Sequence, residues 1–192
     1  LFEGVPFRGF GYLGEVPPGS YNVGLEVFDE QAGCAGTSAV TFDTPVEFAA
    51  GAEATGIVAG SLNAGTIDLL PLADDLRPVA TEARVRIVHG SEATPAVDIY
   101  VVAAGTDITS PDVTPDFPGV EFPASTGFVS LLPGDYDVFV TLAGDTNPAI
   151  AVEGVAFEGG DVISAIASDP QGDETAPGLI VIDHVELKNP PL

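Results

Sequence analysis

Residues 135–143 read DYDVFVTLA, and this stretch decides the fold class. Tyr136, Val138, Val140 and Leu142 alternate with the residues between them, which is the period of two expected of a β-strand. The turn sequence LPG precedes it, and the chain's 23 glycines and 17 prolines separate its other short apolar runs in the same way. No window combines helical spacing with start and stop signals. The sequence therefore predicts an all-β fold.

The sequence around this strand occurs twice. LPGDYDV at 132–138 matches PPGSYNV at 17–23, and FPGVEF at 117–122 matches FEGVPF at 2–7, both at an offset of 115. Further along, VEFAAGAEATGIVAG from residue 46 parallels VAFEGGDVISAIAS from residue 155 at an offset of 109, which predicts about six extra residues in the earlier loop. About seven strands in about 100 residues is the spacing of a sandwich, so we predict two tandem Ig-like antiparallel β-sandwich modules.

The two predicted modules are unequal. Residues 1–76 form a partial module, residues 77–82 a linker, and residues 83–192 a complete module with a C-terminal tail. The first module lacks the counterpart of about 33 residues, or two strands, which would expose apolar surface and sheet edges.

Three explanations are open for the missing strands. The chain may be a processed or partial one, as the absence of an initiator methionine also suggests, with the missing strands on an adjoining part of a longer chain. A neighbouring subunit may add a strand, with the tail VIDHVELKNPPL (181–192) as donor. Alternatively, the module may close on itself, with Phe2, Phe7, Phe10 and Tyr12 filling the gap. The predicted interface residues are Leu1, Phe2, Val5, Phe7, Phe10, Tyr12, Val185 and Leu187.

The charge excludes one class of partner. The chain has 29 acidic and 5 basic residues and a net charge of −24, so we expect no binding to nucleic acid or to anionic headgroups. No apolar run approaches the roughly 18 residues of a membrane-spanning helix.

Calcium is the one cofactor that the acidic residues suggest, and we otherwise expect none. Ca²⁺ requires six to eight oxygen ligands. Neither of the two candidate groups, Asp107 with Asp112 and Asp116, and Asp169 with Asp173 and Glu174, matches a known calcium-loop pattern.

No residue pattern indicates catalysis. There is no G-x-S-x-G motif and no glycine-rich phosphate loop, so we expect no enzyme. His89 follows a strand, where we expect its ring to bind the turn backbone, and a pair with His184 requires the two strand ends to meet. Asp98 is expected to pair across strands with Arg84 or Arg86. The single cysteine, Cys34, cannot form an internal disulfide.

The stretch ARVRIVHGSEATPAVDIYV (83–101) resembles the opening signature of the family named domain of unknown function 4397, roughly A-R-V-R-V-V-H-A-S-P-D-A-P-A-V-D-V-Y-V. Gly90 and Thr94 depart from that pattern at the turn. The resemblance covers residues 83–184 well and residues 1–76 in the downstream half. It implies an Ig-like sandwich, often in tandem, in secreted or envelope proteins of bacteria and archaea, and it implies no reaction.

These features favour a structural function. We expect a non-catalytic extracellular building block of a surface layer or filament, assembled by self-association. The alternative is a cell-surface adhesion module that binds a glycan or a partner, with or without calcium.

Overall fold

The computed structural model describes residues 5–26, 38–42, 44–61 and 64–188. It is nearly all β, as predicted. The chain divides into two units, Leu1–Asp75 and Leu76–Leu192. No helix in the described part is both long enough and apolar enough to cross a membrane.

In its described part, the first unit contains three two-stranded antiparallel ladders. They are β1 (Gly19–Tyr21) with β4 (Val46–Phe48), β2 (Gly24–Glu26) with β3 (Ser38–Thr41), and β5 (Glu53–Ala59) with β6 (Asp68–Asp74). Of its described residues, only Phe42 is buried. The unit therefore has little core of its own.

The second unit contains two larger sheets. One holds β7 (Ala83–Gly90), β10 (Ala124–Ser125), β11 (Val129–Leu131), β14 (Val162–Ser168) and β15 (Gly178–Asp183). The other has the order β13 (Pro148–Phe157), β12 (Gly134–Leu142), β8 (Val97–Ala103), β9 (Phe117–Val120). All neighbours are antiparallel except β7 and β14, which run parallel.

The two sheets of the second unit share one hydrophobic core. Val85 and Ile87 of β7 pack in the same cluster as Ile99 of β8 and Val140 of β12. Tyr136 and Val138 pack against the same cluster, so the predicted alternation of β12 is confirmed from Tyr136 to Val140, whereas Leu142 is exposed. The opposite face of the second sheet is also covered, because Ile108 from the loop after β8 packs on Tyr100 and Phe139.

The segment predicted as a linker packs on the second unit. The amide of Gly160 donates to the carbonyl of Glu82 at 3.1 Å, and the Ser130 hydroxyl donates to the Glu82 carboxylate at 2.9 Å. Val79 forms an isolated bridge with Glu82. These contacts fix the end of the segment to its own unit.

Two predictions about local structure are wrong. The expected cross-strand pairing of Asp98 with Arg84 or Arg86 does not form, because β7 and β8 belong to different sheets. The tail does not offer a free strand in its described part: residues 181–183 end β15, and His184–Lys188 form the short helix α1. The Asp183 carboxylate caps this helix by accepting from the amides of Val185 and Glu186, at 2.8 and 3.0 Å.

Candidate functional site

The same corner is built once in each unit. The Tyr21 hydroxyl donates to the Pro17 carbonyl at 2.7 Å, and the Tyr136 hydroxyl donates to the Leu132 carbonyl at 3.0 Å, each four residues upstream. The strand registers also agree: Gly19 lies opposite Phe48 and Gly134 opposite Phe157, and the tyrosines pack edgewise on those phenylalanines at 5.8 and 5.7 Å. These positions are the ones related by the sequence offsets of 115 and 109.

The corresponding strands differ in how many neighbours they have. In the second unit, β12 lies between β13 and β8, and β14 lies between β15 and β7. In the first unit β1, which aligns with β12, pairs only with β4, and β5, which aligns with β14, pairs only with β6 among the described strands. The two open edges are therefore those that β7 and β8 occupy in the second unit.

An apolar segment, residues 5–13, precedes the first corner without regular secondary structure. Five of its large apolar side chains are about half exposed: Val5, Phe7, Phe10, Tyr12 and Leu13. The Arg8 guanidinium lies over the Phe7 ring at 5.3 Å. The alternative in which Phe7, Phe10 and Tyr12 fill the gap is wrong, because a plug would be buried. Leu1 and Phe2 lie outside the described residues.

The tail contributes no free strand. Val185 and Leu187 are partly buried in α1, which packs on β14 and β15 of its own unit. Of the predicted donor segment, residues 181–183 end β15 and His184–Lys188 form α1. Residues 189–192 lie outside the described part.

Two carboxylates of the first predicted calcium group form hydrogen bonds with separate parts of the backbone and with a hydroxyl. Asp107 accepts from the amide and hydroxyl of Thr109 at 2.9 and 2.7 Å, and these bonds lower the pKa of that carboxyl. Asp116 accepts from the amide of Val101 at 2.8 Å, and Asp112 is exposed.

The second group is similarly divided. Asp169 accepts from the Ser91 hydroxyl at 2.7 Å and the Ala93 amide at 2.9 Å, which fixes the turn after β7. Glu174 accepts from the amide of Gln171 at 3.0 Å, and Asp173 is exposed. Within the described ranges, no three acidic, histidine or cysteine side chains are arranged to hold a metal ion.

Two buried carboxylates that sequence reasoning missed bind glycine amides. Asp137 accepts from Gly105 and Gly154, both at 2.7 Å. Asp98 accepts from Gly119 at 2.7 Å and from Gly144 at 2.8 Å. Each aspartate lies opposite a register shift, with one glycine at the shift and the other in the loop that follows the partner central strand. All four glycines have a positive φ, a conformation that glycine adopts more readily than other residues. Their identity as glycine is the one sign of these sites in the sequence.

A second polar cluster lies on the outer face of the first sheet. Arg86 donates through Nε and Nη2 to the Ser164 hydroxyl at 3.1 and 3.0 Å, and that hydroxyl lies 2.8 Å from Nε2 of His184. The Ser164 hydroxyl therefore links the guanidinium of Arg86 to the imidazole of His184. Phe128 covers the cluster, with the Arg86 guanidinium 4.4 Å from its ring centroid. Sequence analysis missed this serine–histidine contact. It is closed to a substrate, because Ser164 is fully buried.

The other histidine behaves as expected. His89 is buried and donates through Nε2 to the Pro95 carbonyl at 3.1 Å, so the prediction that its ring binds the turn backbone is confirmed. Each histidine has its own partner in the described part, the Pro95 carbonyl for His89 and the Ser164 hydroxyl for His184. Cys34 lies outside the described residues.

Comparison with known proteins gives one match. A family model with the description "Domain of unknown function (DUF4397)" matches residues 1–100, which is more than half of the chain. The match covers the first unit and reaches into β8, so it includes nearly all of the signature at 83–101, while residues 101–184 lie outside it. No curated protein and no solved structure matches the chain.

Proposed function

The chain belongs to the DUF4397 family, and from this premise we propose that it is a non-catalytic structural protein of the cell surface, a building block of a layer or filament. The proposed assembly adds a β-strand from outside to an open edge of the first unit.

The observation that carries this proposal is the difference in neighbours between aligned strands. β12 and β14 each lie between two strands, whereas β1 and β5 each pair with one in the described part. An open edge presents unpaired amides and carbonyls, which proteins usually cover, twist away or charge. Val58 on β5 is instead apolar and exposed. An edge of this kind favours pairing with another chain.

The thin core of the first unit supports the same proposal. Natural domains are stable by only about 5–15 kcal/mol, and the described part of this unit buries one residue, Phe42. Added strands would cover its half-buried side chains. The second unit, which has both strands, has a continuous core.

We propose further that both units are Ig-like sandwiches related by a tandem repeat. The equal registers at the two tyrosine corners support the repeat, and the two facing sheets of the second unit support the sandwich. The resemblance to secreted and envelope proteins, together with the net charge of −24, supports a location outside a prokaryotic cell.

The absence of catalysis is part of the proposal. The one serine–histidine contact of the described part is enclosed beneath Phe128 and α1, and His89 is buried against Pro95. These histidines hold the backbone and the sheet together rather than facing a cleft.

Electron microscopy of the full chain tests the assembly. We expect filaments or sheets at high protein concentration and high salt, where the repulsion between copies is screened. Val58→Glu places a charge beside the open edge and should suppress them. Leu132→Glu is the matched control, because it adds the same charge at an exposed position in the second unit. Monodisperse monomers under all conditions, or equal suppression by both variants, would overturn the proposal.

A second candidate function is recognition of a glycan by the exposed aromatic rings of the segment 5–13. Phe7, Phe10 and Tyr12 present about half of their surface to solvent, and aromatic faces commonly stack on sugar rings. Chemical-shift changes confined to this segment on addition of oligosaccharides, lost in Tyr12→Ala, would favour this function.

A further inference from the structure

The core of the second unit is open to solvent on one side. A cavity of about 70 Å³ lies between the two sheets. Its lining is entirely apolar: Val85, Ile87, Val138, Val140, Ile150, Val152, Val155, Phe157, Ile163, Ala165, Ala167, Leu179 and Val181. Val152 and Leu179 are only half buried, and Val181 is 53% exposed. We call this opening between β13 and β15 the edge cleft.

The size of the cleft determines what can enter it. Pockets for drug-sized ligands hold about 300–1,000 Å³, and a cavity of about 150 Å³ takes a benzene. A volume of about 70 Å³ accepts one aliphatic side chain. The cavity is therefore too small for a drug-sized molecule. It can hold one side chain of a polypeptide.

The backbone at the cleft is also available. In the part of the chain that the structure describes, β13 pairs only with β12 and β15 only with β14. Each of the two strands therefore has an edge without a strand partner. A segment lying along this side could cover the half-buried valines and approach free backbone groups at the same time.

The same chain carries an apolar segment that needs cover. The three aromatics of residues 5–13, at about half of the 150–250 Å² that each can bury, expose roughly 300 Å², to which Val5 and Leu13 add. This approaches the largest apolar patch of a typical monomer, about 300–600 Å². A contact of that size is below the roughly 1,200 Å² of a stable complex. We therefore expect weak binding between two copies and stronger association when the contact repeats along many copies.

Charge favours a second copy as the source of this segment. Residues 4–14 contain no acidic side chain and include Arg8, one of only five basic residues in a chain with 29 acidic ones. This is therefore a stretch that can approach another copy with little repulsion. The cleft itself contributes no charge.

We propose that the segment 5–13 of one copy docks in the edge cleft of a second copy, with the aliphatic side chain of Leu13 in the cavity and the aromatic rings outside it, which makes a head-to-tail contact between first and second units. This inference rests on the proposed structural function and adds to it a second contact, separate from the strand proposed at the open edge of the first unit. Such a contact uses different surfaces on the two copies, so it propagates along a filament unless rotation closes it into a ring.

Sedimentation of the full chain between about 10 and 300 µM tests the contact. We expect self-association that strengthens from about 0.15 M to about 1 M salt, as the Debye length falls from about 8 to about 3 Å. Leu13→Gln and Val181→Gln should each weaken it about tenfold or more. Leu132→Gln replaces an apolar side chain that is still more exposed, at 74%, away from both surfaces and should leave the association unchanged.

Cross-linking identifies the partners directly. Phe7→Cys and Val181→Cys are made in a Cys34→Ser chain, purified separately, mixed and oxidised. We expect a disulfide-linked heterodimer several-fold above that formed when Leu132→Cys replaces Phe7→Cys. Equal yields overturn the proposed contact. Filaments that persist in Val181→Gln would reject this contact but keep the structural function, whereas monomers under every condition would reject both.

Discussion

Replacing Asp137 by asparagine changes one atom in the second sheet and should cost about 2–4 kcal/mol. Asp137 lies opposite a bulge, where Tyr136 faces Val155 and Val138 faces Val152. Its carboxylate is buried and accepts the amides of Gly154 at the bulge and Gly105 in the loop after β8, both at 2.7 Å. An asparagine can accept only one of them and turns an N–H group toward the other.

The magnitude follows from these two bonds. A buried amide left without an acceptor costs about 1–3 kcal/mol. The remaining bond loses its charge assistance, which adds about 1 kcal/mol. The sum is a large part of the stability of an ordinary domain. For a unit of this size it corresponds to roughly 10–15 °C in Tm.

The assay is urea unfolding followed by tyrosine fluorescence, since the chain has no tryptophan. Asp135→Asn is the control, because Asp135 is exposed on the same strand and its replacement makes the same charge change. Hydrogen exchange should show faster opening at Gly105 and Gly154 in Asp137→Asn alone. If the two variants agree within about 0.5 kcal/mol, the bridging role of this carboxylate is refuted.

Three further outcomes are expected. Burial, followed by the negative charge of Asp98, raises the pKa of Tyr100. Absorbance titration should therefore show one late-ionising tyrosine that Tyr100→Phe removes. The free energy of unfolding should fall as the pH rises above about 10, because the tyrosine of the unfolded chain ionises first. Gly159→Ala should destabilise the second unit by about 1–3 kcal/mol in urea unfolding, because the new Cβ meets the Ala80 carbonyl; Gly134→Ala, with only ordinary contacts, is the control. A chelator should shift Tm by no more than about 1–2 °C, since Asp107, Asp116 and Asp169 already bind backbone and hydroxyl groups; a large drop would favour calcium binding.

The strand content of the protein was predictable because it depends on local patterns. The alternation in DYDVFVTLA places β12 within one residue of its observed bounds, Gly134–Leu142. The β7 strand likewise follows from the run RVRIVHG. Both patterns reflect one residue facing the core and the next facing away, which requires no knowledge of the neighbouring strands.

The pairing of strands was not predictable in the same way. β7 and β8 are consecutive, yet they lie in different sheets, and β7 instead pairs in parallel with β14, far along the chain. The partners of Asp98 therefore could not be read from its neighbours in sequence. The tail failed for a different reason: VIDHVEL alternates like a strand, but the Asp183 carboxylate caps a helix there. Residues 181–183 end β15, and the two bonds of the Asp183 carboxylate favour the helix that follows.

The region around Asn22 offers a test of the proposed strand addition beside β1. Asn22 aligns with Asp137 at the offset of 115. Asn22 is exposed and Asp137 is buried. In the described part, β1 lacks the second neighbouring strand that β12 has. A neutral amide costs less to bury than a carboxylate, so this position can be open in one state and covered in another. If another copy completes the sheet beside β1, residues 19–26 should gain hydrogen-exchange protection on assembly, while β12 should not change. Equal exchange of residues 19–26 in assembled and monomeric protein would show that the added strand does not lie at this edge.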